Sequence, residues 1–484
     1  MNFPINLDRD SSTPIFQQIS KYIKQRIEEG ALLPGTRLPS TYALSEDLEI
    51  SRATVVKSYD ELISQGYLEG KAGGGTFVKN QIHANQFATA FESSESQIPA
   101  NVSDFAEKIW AIESSDASTV DNEIVNFGAP PFDSLPLTAW KKILIDECRT
   151  MGSKTFEWTA DDFGLYSCRE AISGFLNRSR GMRCFPEQVL IFANCKEALM
   201  FISRLLIQPG DTVAVENPSY ASPRNFFESC KAVLEPIDID ENGLLVSQIM
   251  DLKCQPKLIY TTPVQDPTGI RMSAERKEEL VAWAEKKGVM IWEEGWEGDY
   301  NYLSPSQAVM QGMGSSNNVF YGYCFWKLLY PLVTLGVLVV PPQMVSLCRK
   351  AKQFEGVQFS MLEQKALARF IQDGHLERHI SKSKQLFEKR RKHAIDSLLT
   401  LLRNSVEIPR QSASLHLCVR FSDVLEHSKI LDAAQKAALP LASTEGYYLR
   451  NVRGGEFILP FTNLNENELR IRVTNFARLL KESK

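Results

Sequence analysis

The sequence predicts an α/β protein in two parts: a small helical module closed by a β-hairpin, then a large domain built on a mostly parallel sheet. Three observations carry that prediction. Apolar residues in the first 79 positions recur at helical spacing and give way to two short strands around a glycine-rich tip. A polar, acidic stretch follows over 80–124. From about 125 onward, continuous apolar runs alternate with helical stretches. A chain of 484 residues is too long for a single core.

In the first segment, Ile15, Ile19, Ile23 and Ile27 form a stripe every four residues. Thr13-Pro14 reads as an N-cap and a first-turn proline, and Gly30 ends the helix. Leu33-Pro34-Gly35-Thr36-Arg37-Leu38-Pro39 is a turn-rich connection. Ser40 then caps a second helix, about Thr41 to Leu48. A turn at Glu49-Ile50-Ser51 leads into a third, about Arg52 to Gln65. A strand opens at Gly66-Tyr67-Leu68-Glu69, the tip is Lys71 to Gly75, and Thr76-Phe77-Val78 returns.

The 80–124 stretch has Lys108 as its one basic residue and a formal net charge of about −7, the composition of a linker. Phe105, Ile109 and Trp110 within it suit a short docked helix. Beyond it, the strand-like runs include Val189–Phe192, Thr212–Val215, Lys257–Tyr260, Val289–Trp292, Val319–Tyr321 and Gly336–Val340. The domains read as 1–79, the linker 80–124, and 125–484, with about 345–484 as a smaller C-terminal α+β part.

Composition narrows the class. The hydrophobic share is 43% and the charged share 23%, ordinary for a globular protein. No apolar run is long enough to span a bilayer, and the start Met1-Asn2-Phe3-Pro4 lacks the pattern of a signal peptide, so a cytoplasmic protein is expected. The nine cysteines include no Cys-x-x-Cys pair; no metal site is indicated, and buried, reduced thiols are expected. A net charge of −5 argues against an indiscriminate nucleic-acid coat but leaves room for a local DNA footprint.

Helix, turn, helix and hairpin make a winged helix-turn-helix, whose second motif helix enters the major groove of double-stranded DNA. Arg52 and Thr54 fall in the first turn of that helix, with Lys57 one turn on. Arginine can read guanine, and Thr or Lys can bind phosphate. Arg37, Ser40 and Thr41 at the motif's entry, and Lys71 and Gly75 in the wing, complete the expected DNA set. The other reading is a winged helix used only for protein interaction, since the segment carries about 9 basic against 10 acidic residues. The stretch resembles the GntR family of regulators through Pro34-Gly35, Leu38-Pro39-Ser40, Ser51-Arg52-Ala53-Thr54-Val55, Gly66-Tyr67-Leu68 and Gly73-x-Gly75-Thr76-Phe77-Val78. Tyr42 departs from it, standing where many members carry a DNA-touching arginine.

With that module in place, the rest of the chain resembles the MocR subfamily, in which a winged helix is fused to a fold-type I, aspartate aminotransferase-like domain. The matching residues are Asn126-Phe127-Gly128, Arg178-Ser179-Arg180-Gly181-Met182-Arg183-Cys184, Glu216-Asn217-Pro218-Ser219-Tyr220, Pro267-Thr268-Gly269 and Leu415-His416-Leu417. The resemblance implies a pyridoxal-phosphate site: Lys327 aligns with the cofactor-bearing lysine, and Glu294 with the aspartate that holds the pyridine nitrogen. Trp296 takes the place of a tyrosine, and Tyr220 and Asp266 line the pocket. The phosphate cradle departs from the family. Cys324 and Trp326 stand for hydroxyls, Thr334 for an arginine, and Asn194-Cys195-Lys196-Glu197 for a Gly-Ser turn. The substrate-carboxylate arginine is replaced within Ile458-Leu459-Pro460-Phe461, leaving Arg450, Arg453 or Arg224 as substitutes. Two readings of Lys327 stay open: the anchor of a variant cofactor site, or an incidental lysine in a degenerate pocket. His416 reads as a hydrogen-bonded core residue, and Gln265 as a pocket-lining or turn-capping one.

The resemblance implies a homodimeric, DNA-binding transcription regulator whose vestigial aminotransferase-like domain senses an amine, an amino acid or a vitamer. The alternatives are an active aminotransferase with an appended DNA-binding domain, and a cofactor-free regulator.

Overall fold

A computed structural model describes residues 5–71, 74–79, 101–111, 131–150, 162–295, 299–300, 308–315, 317–357, 359–409, 414–422 and 426–482. The chain divides into two compact units, Met1–Glu107 and Lys108–Lys484.

The first unit contains α1 (Ile15–Glu28), α2 (Thr41–Asp47) and α3 (Arg52–Ser64), then β1 (Leu68–Lys71) and β2 (Gly75–Val78). Pro14 itself occupies the capping position of α1, with φ −56° and ψ 141° and no side-chain cap, so Thr13 is not the cap the sequence suggested. Proline supplies the extended entry and has no N–H to orphan. Ile19, Ile23 and Ile27 are buried against Leu44, Val55, Tyr59 and Leu62. Truncating one of these isoleucines to alanine costs about 2–5 kcal/mol. Ser40 and Ser51 cap α2 and α3, accepting from Ala43 N–H at 3.1 Å and Thr54 N–H at 3.2 Å. β1 and β2 pair antiparallel with Leu68 opposite Val78 and Lys71 opposite Gly75. The acidic stretch holds one helix among its described residues, Asp104–Ala111; Phe105, Ile109 and Trp110 on it are exposed, and Lys108 Nζ donates to Glu228 O at 3.1 Å.

The second unit is a three-layer α/β domain with a smaller α+β part. Its large sheet is formed by β3 (Val189–Phe192), β4 (Thr212–Asn217), β5 (Val233–Asp240), β6 (Gly243–Leu244), β7 (Leu258–Thr261), β8 (Met290–Glu294), β9 (Val319–Cys324) and β10 (Gly336–Val339). The spatial order is β3-β10-β9-β8-β7-β4-β5-β6. β5, β4, β7, β8 and β9 run parallel, and β10 is antiparallel to both its neighbours, β3 and β9. The central strands are buried on both faces because helices cover both, so continuous apolar runs carry no mark of strand direction. β5 is half-exposed and contains Pro236 and acidic residues, which hid it from a search for apolar runs. In the smaller part, β11 (Val406–Glu407), β12 (His416–Phe421), β13 (Ala442–Ser443) and β14 (Glu456–Pro460) form an antiparallel sheet in the order β11-β12-β14-β13. Helices His375–Leu402, His427–Lys436 and Glu466–Glu482 belong to the same part.

Cys148 and Cys254 are exposed, and Cys230 and Cys324 half-buried, so the expectation of uniformly buried thiols holds for only five of the nine. Among the described residues no helix is long and apolar enough to cross a membrane, and no cluster of three His, Cys, Asp or Glu side chains could hold a metal.

Candidate functional site

Two surfaces collect the residues singled out by sequence. The first is the recognition face of the winged unit. Arg52 opens α3, is exposed, and its Nε donates to Thr41 Oγ1 at 3.3 Å. Ser40 stands next to Thr41 at the head of α2, so three of the expected DNA residues share one edge. Two others have contacts within the winged unit. The Thr54 hydroxyl is 2.8 Å from Ser51 Oγ within the cap, and Lys57 Nζ lies 3.9 Å over the Phe16 ring on α1. On the wing, Lys71 Nζ approaches Glu69 Oε1 at 3.5 Å. Gly75 has φ +105°, and a Cβ there would stand 3.1 Å from Arg37 Nε, so glycine leaves room for the Arg37 side chain against the hairpin. The wing tip at 72–73 lies outside the described residues.

The second site lies where parallel strands end, the usual place for a ligand in an open α/β sheet. Glu294 is the last residue of β8 and Cys324 the last of β9. Lys327 follows on the single helical turn Trp326–Leu329; it is 6% exposed, and its charge favours the ionised forms of Glu294 and Cys324. The Leu328 carbonyl accepts from His379 Nε2 at 2.8 Å, which fixes this turn from behind. Trp292 lies two residues before Glu294 on the same face of β8, and its Nε1 donates to Glu294 Oε2 at 2.8 Å. Gly322 on β9 makes that possible, since a Cβ there would fall 2.6 Å from the Trp292 ring. Glu294 Oε1 is buried and has no hydrogen-bond partner. Burial pushes the Glu294 carboxyl up to about 7. Trp296 lies outside the described residues.

Several neighbouring polar groups are engaged with one another. Glu216 accepts from Thr261 Oγ1 at 2.5 Å and Thr262 N–H at 3.1 Å. Gln265 is a turn clamp: its amide donates to Pro218 O and Asp266 O and accepts from Thr268. Asp266 is buried, with Oδ1 3.7 Å from His416 Nε2, and that same nitrogen donates to Pro267 O at 2.9 Å. His416 is thus a core residue tying β12 to the Asp266 turn. Tyr220 stands at the rim, with Lys196 Nζ 5.8 Å from its ring centroid.

The pyridine end and the phosphate end of the family's cofactor meet different surroundings. An orphaned carboxylate oxygen beside a buried lysine suits a ring N–H. At the phosphate end four of the amides are already taken, those of Ala193, Cys195, Glu197 and Trp326. Cys324 Sγ accepts Trp326 N–H at 3.4 Å and faces Cys195 N–H. Asn194 Oδ1 accepts Glu197 N–H at 2.9 Å, and Glu197 Oε2 accepts Ala193 N–H at 2.7 Å. A carboxylate therefore sits at the positive end of helix Cys195–Leu206, where a phosphate would need to lie. Thr334 is exposed, and its own amide donates to Glu363. The residues present do not fit a phosphate dianion.

Two of the three substitute arginines have structural contacts. Arg450 pairs with Asp238 at 3.1 Å, and Arg224 is buried with its guanidinium on the Gly446 and Tyr447 carbonyls. Arg453 is exposed. What sequence reasoning missed is the pairing of Trp292 with Glu294; its signal was the i, i+2 spacing on one strand face.

Comparison with known proteins gives each part of the chain a family. The family model described as bacterial regulatory proteins, gntR family, matches residues 15–78, and that of aminotransferase class I and II matches 122–294. The chain is 30% identical over 432 residues to the probable rhizopine catabolism regulatory protein MocR of Rhizobium meliloti, covering 89% of this chain and 86% of that one. It is 26% identical over 401 residues to the HTH-type pyridoxine biosynthesis transcriptional regulator PdxR of Corynebacterium glutamicum, covering 82% of each. Among solved structures, the Pyrococcus horikoshii kynurenine aminotransferase in complex with PMP superposes with a TM-score of 0.68 at 22% identity, over 82% of this chain and 98% of that one. Likeness at that identity establishes the fold.

Proposed function

Because this chain belongs to the MocR subfamily of GntR-type transcriptional regulators, and is a DNA-binding regulator with an aminotransferase-like domain, we propose that this domain senses a small amine-bearing ligand and performs no transamination. The observation that carries the reading is Glu294 Oε1, a buried carboxylate oxygen without a partner at the strand ends. A desolvated acceptor of this kind gains most from a charged nitrogen donor. An amino acid, a diamine or an unphosphorylated vitamer supplies one.

Pyridoxal phosphate binds weakly on this reading, since its phosphate meets Glu197 and a set of spent amides rather than a cradle. Lys327 and Glu294 are the residues that would face it, with Tyr220 and Asp266 at the margins. Transamination also needs a substrate-carboxylate anchor, and Arg224 and Arg450 are held in structural contacts.

The regulator acts as a homodimer on a two-half-site operator, in the cytoplasm, with a shift between domain states as its response. Arg52 and Thr41 on the motif helices, Arg37 at the motif's entry and Gly75 on the wing are the contacts that place it on DNA. Dialysis of freshly purified full-length protein tests the sensor reading: it should retain well under one cofactor per chain by absorbance. Retention of one per chain through exhaustive dialysis overturns it. A monomer by light scattering at micromolar concentration would contradict the dimer.

A further inference from the structure

Two cysteines meet at the edge of the site, and the regulatory reading makes no use of their sulfur chemistry. Cys324 ends β9 and Cys195 begins the helix Cys195–Leu206. Gly336 on β10 brings them together. It pairs directly opposite Cys324, and a Cβ on it would lie 2.6 Å from Cys195 N. With no side chain between them, the Cys195 thiol reaches hydrogen-bonding distance of Cys324 Sγ, and its other face meets Glu294. Cys324 Sγ also accepts Trp326 N–H at 3.4 Å. Its sulfur therefore caps two amides at helix starts, next to the Lys327 ammonium. Cys324 is half-buried, whereas Cys195 is 5% exposed.

We propose that Cys324 and Cys195 form a peroxide-reactive thiol pair, Cys324 attacking and Cys195 resolving, that closes a disulfide beside Glu294. The surroundings separate the two roles. The Cys195 thiol, then the two N–H donors and the Lys327 charge, hold the Cys324 thiol below the ordinary cysteine value against its own burial, and burial pushes that of Cys195 up. The pair shares one proton that stays on Cys195.

The chemistry balances with a hydroperoxide as oxidant. The Cys324 thiolate attacks the terminal oxygen; an S–O bond forms, the O–O bond breaks, and the leaving alkoxide takes up a proton to become an alcohol. Cys195 then gives its proton to Glu294, and its sulfur attacks the sulfenic sulfur. The S–S bond forms, the S–O bond breaks, and the departing hydroxide takes that proton as water. Two thiols lose two electrons, and one hydroperoxide becomes alcohol and water. This inference does not depend on which ligand the site takes.

The test uses reduced full-length protein treated with a few equivalents of hydrogen peroxide, then alkylated and digested without reductant. The expected product is a Cys195–Cys324 linked peptide, 2 Da lighter than its two parts and restored by dithiothreitol, formed at least tenfold faster than any oxidation of exposed Cys148 and Cys254. Cys195→Ser should stop at a sulfenic acid on Cys324, trapped by dimedone. Cys324→Ser keeps an acceptor for the Trp326 amide and should abolish the fast phase. Oxidation confined to Cys148 and Cys254, or a fast phase that survives Cys324→Ser, overturns the proposal.

Discussion

Trp292 and Glu294 form a fixed pair, with the indole Nε1 donating to Oε2 at 2.8 Å so that Oε1 is left buried and unpaired. The site is thereby held ready for a stronger donor than the Cys195 thiol that lies beside the same carboxyl.

This pair predicts a pH-dependent stability. A carboxyl raised to about 7 contributes stability that is fully present below the ordinary Glu range and lost as pH rises through 7, because the unfolded chain gives up the proton first. Glu294→Gln keeps the Trp292 bond and cannot ionise. It should match the native protein near pH 4 and exceed it by about 2–3 kcal/mol at pH 8, read by urea unfolding. Equal stability at both pH values would remove the argument from burial.

Arg52→Ala should weaken operator binding by about 1–3 kcal/mol at fixed salt and relax specificity at one base pair. Lys57→Ala is the contrast. With Lys57 Nζ over the Phe16 ring, its loss should cost the winged unit packing with little change in base preference. Fluorescence anisotropy on matched and single-mismatch duplexes separates the two.

Gly75→Ala forces a side chain into φ +105° and within 3.1 Å of Arg37 Nε. The strain costs about 1–3 kcal/mol, and the Arg37 side chain must shift by a few tenths of an ångström on the hairpin. Lower thermal stability together with several-fold weaker operator binding is expected. Unchanged DNA affinity would take Arg37 out of the interface.

Much of the fold was legible because its signals are local. Ser40 and Ser51 cap helices within three residues of their partners, and the wing follows from a glycine tip between two short apolar runs. The positions of the buried central strands followed from apolar runs, but that of β5 and the direction of β10 did not, because β5 is half-exposed and burial on both faces looks the same either way. The site was less legible. Lys327 and Glu294 stood out by resemblance, yet the state of the cradle depends on which amides are already bonded. That Cys324 Sγ accepts Trp326 N–H, and that Glu197 folds back on Ala193, are facts of three-dimensional closure. Likewise the placing of Lys57 Nζ over the Phe16 ring has no signal in one dimension.

Pyridoxal and pyridoxal phosphate differ only in the phosphate, so their dissociation constants for the full-length protein, measured by calorimetry at one salt and pH, test the central claim most directly. With the helix amides spent and Glu197 at the helix start, the two should bind within about threefold of each other, or the phosphorylated form more weakly. A phosphate preference of a hundredfold or more, about 2.7 kcal/mol, would contradict the account and restore an aminotransferase-type cofactor site.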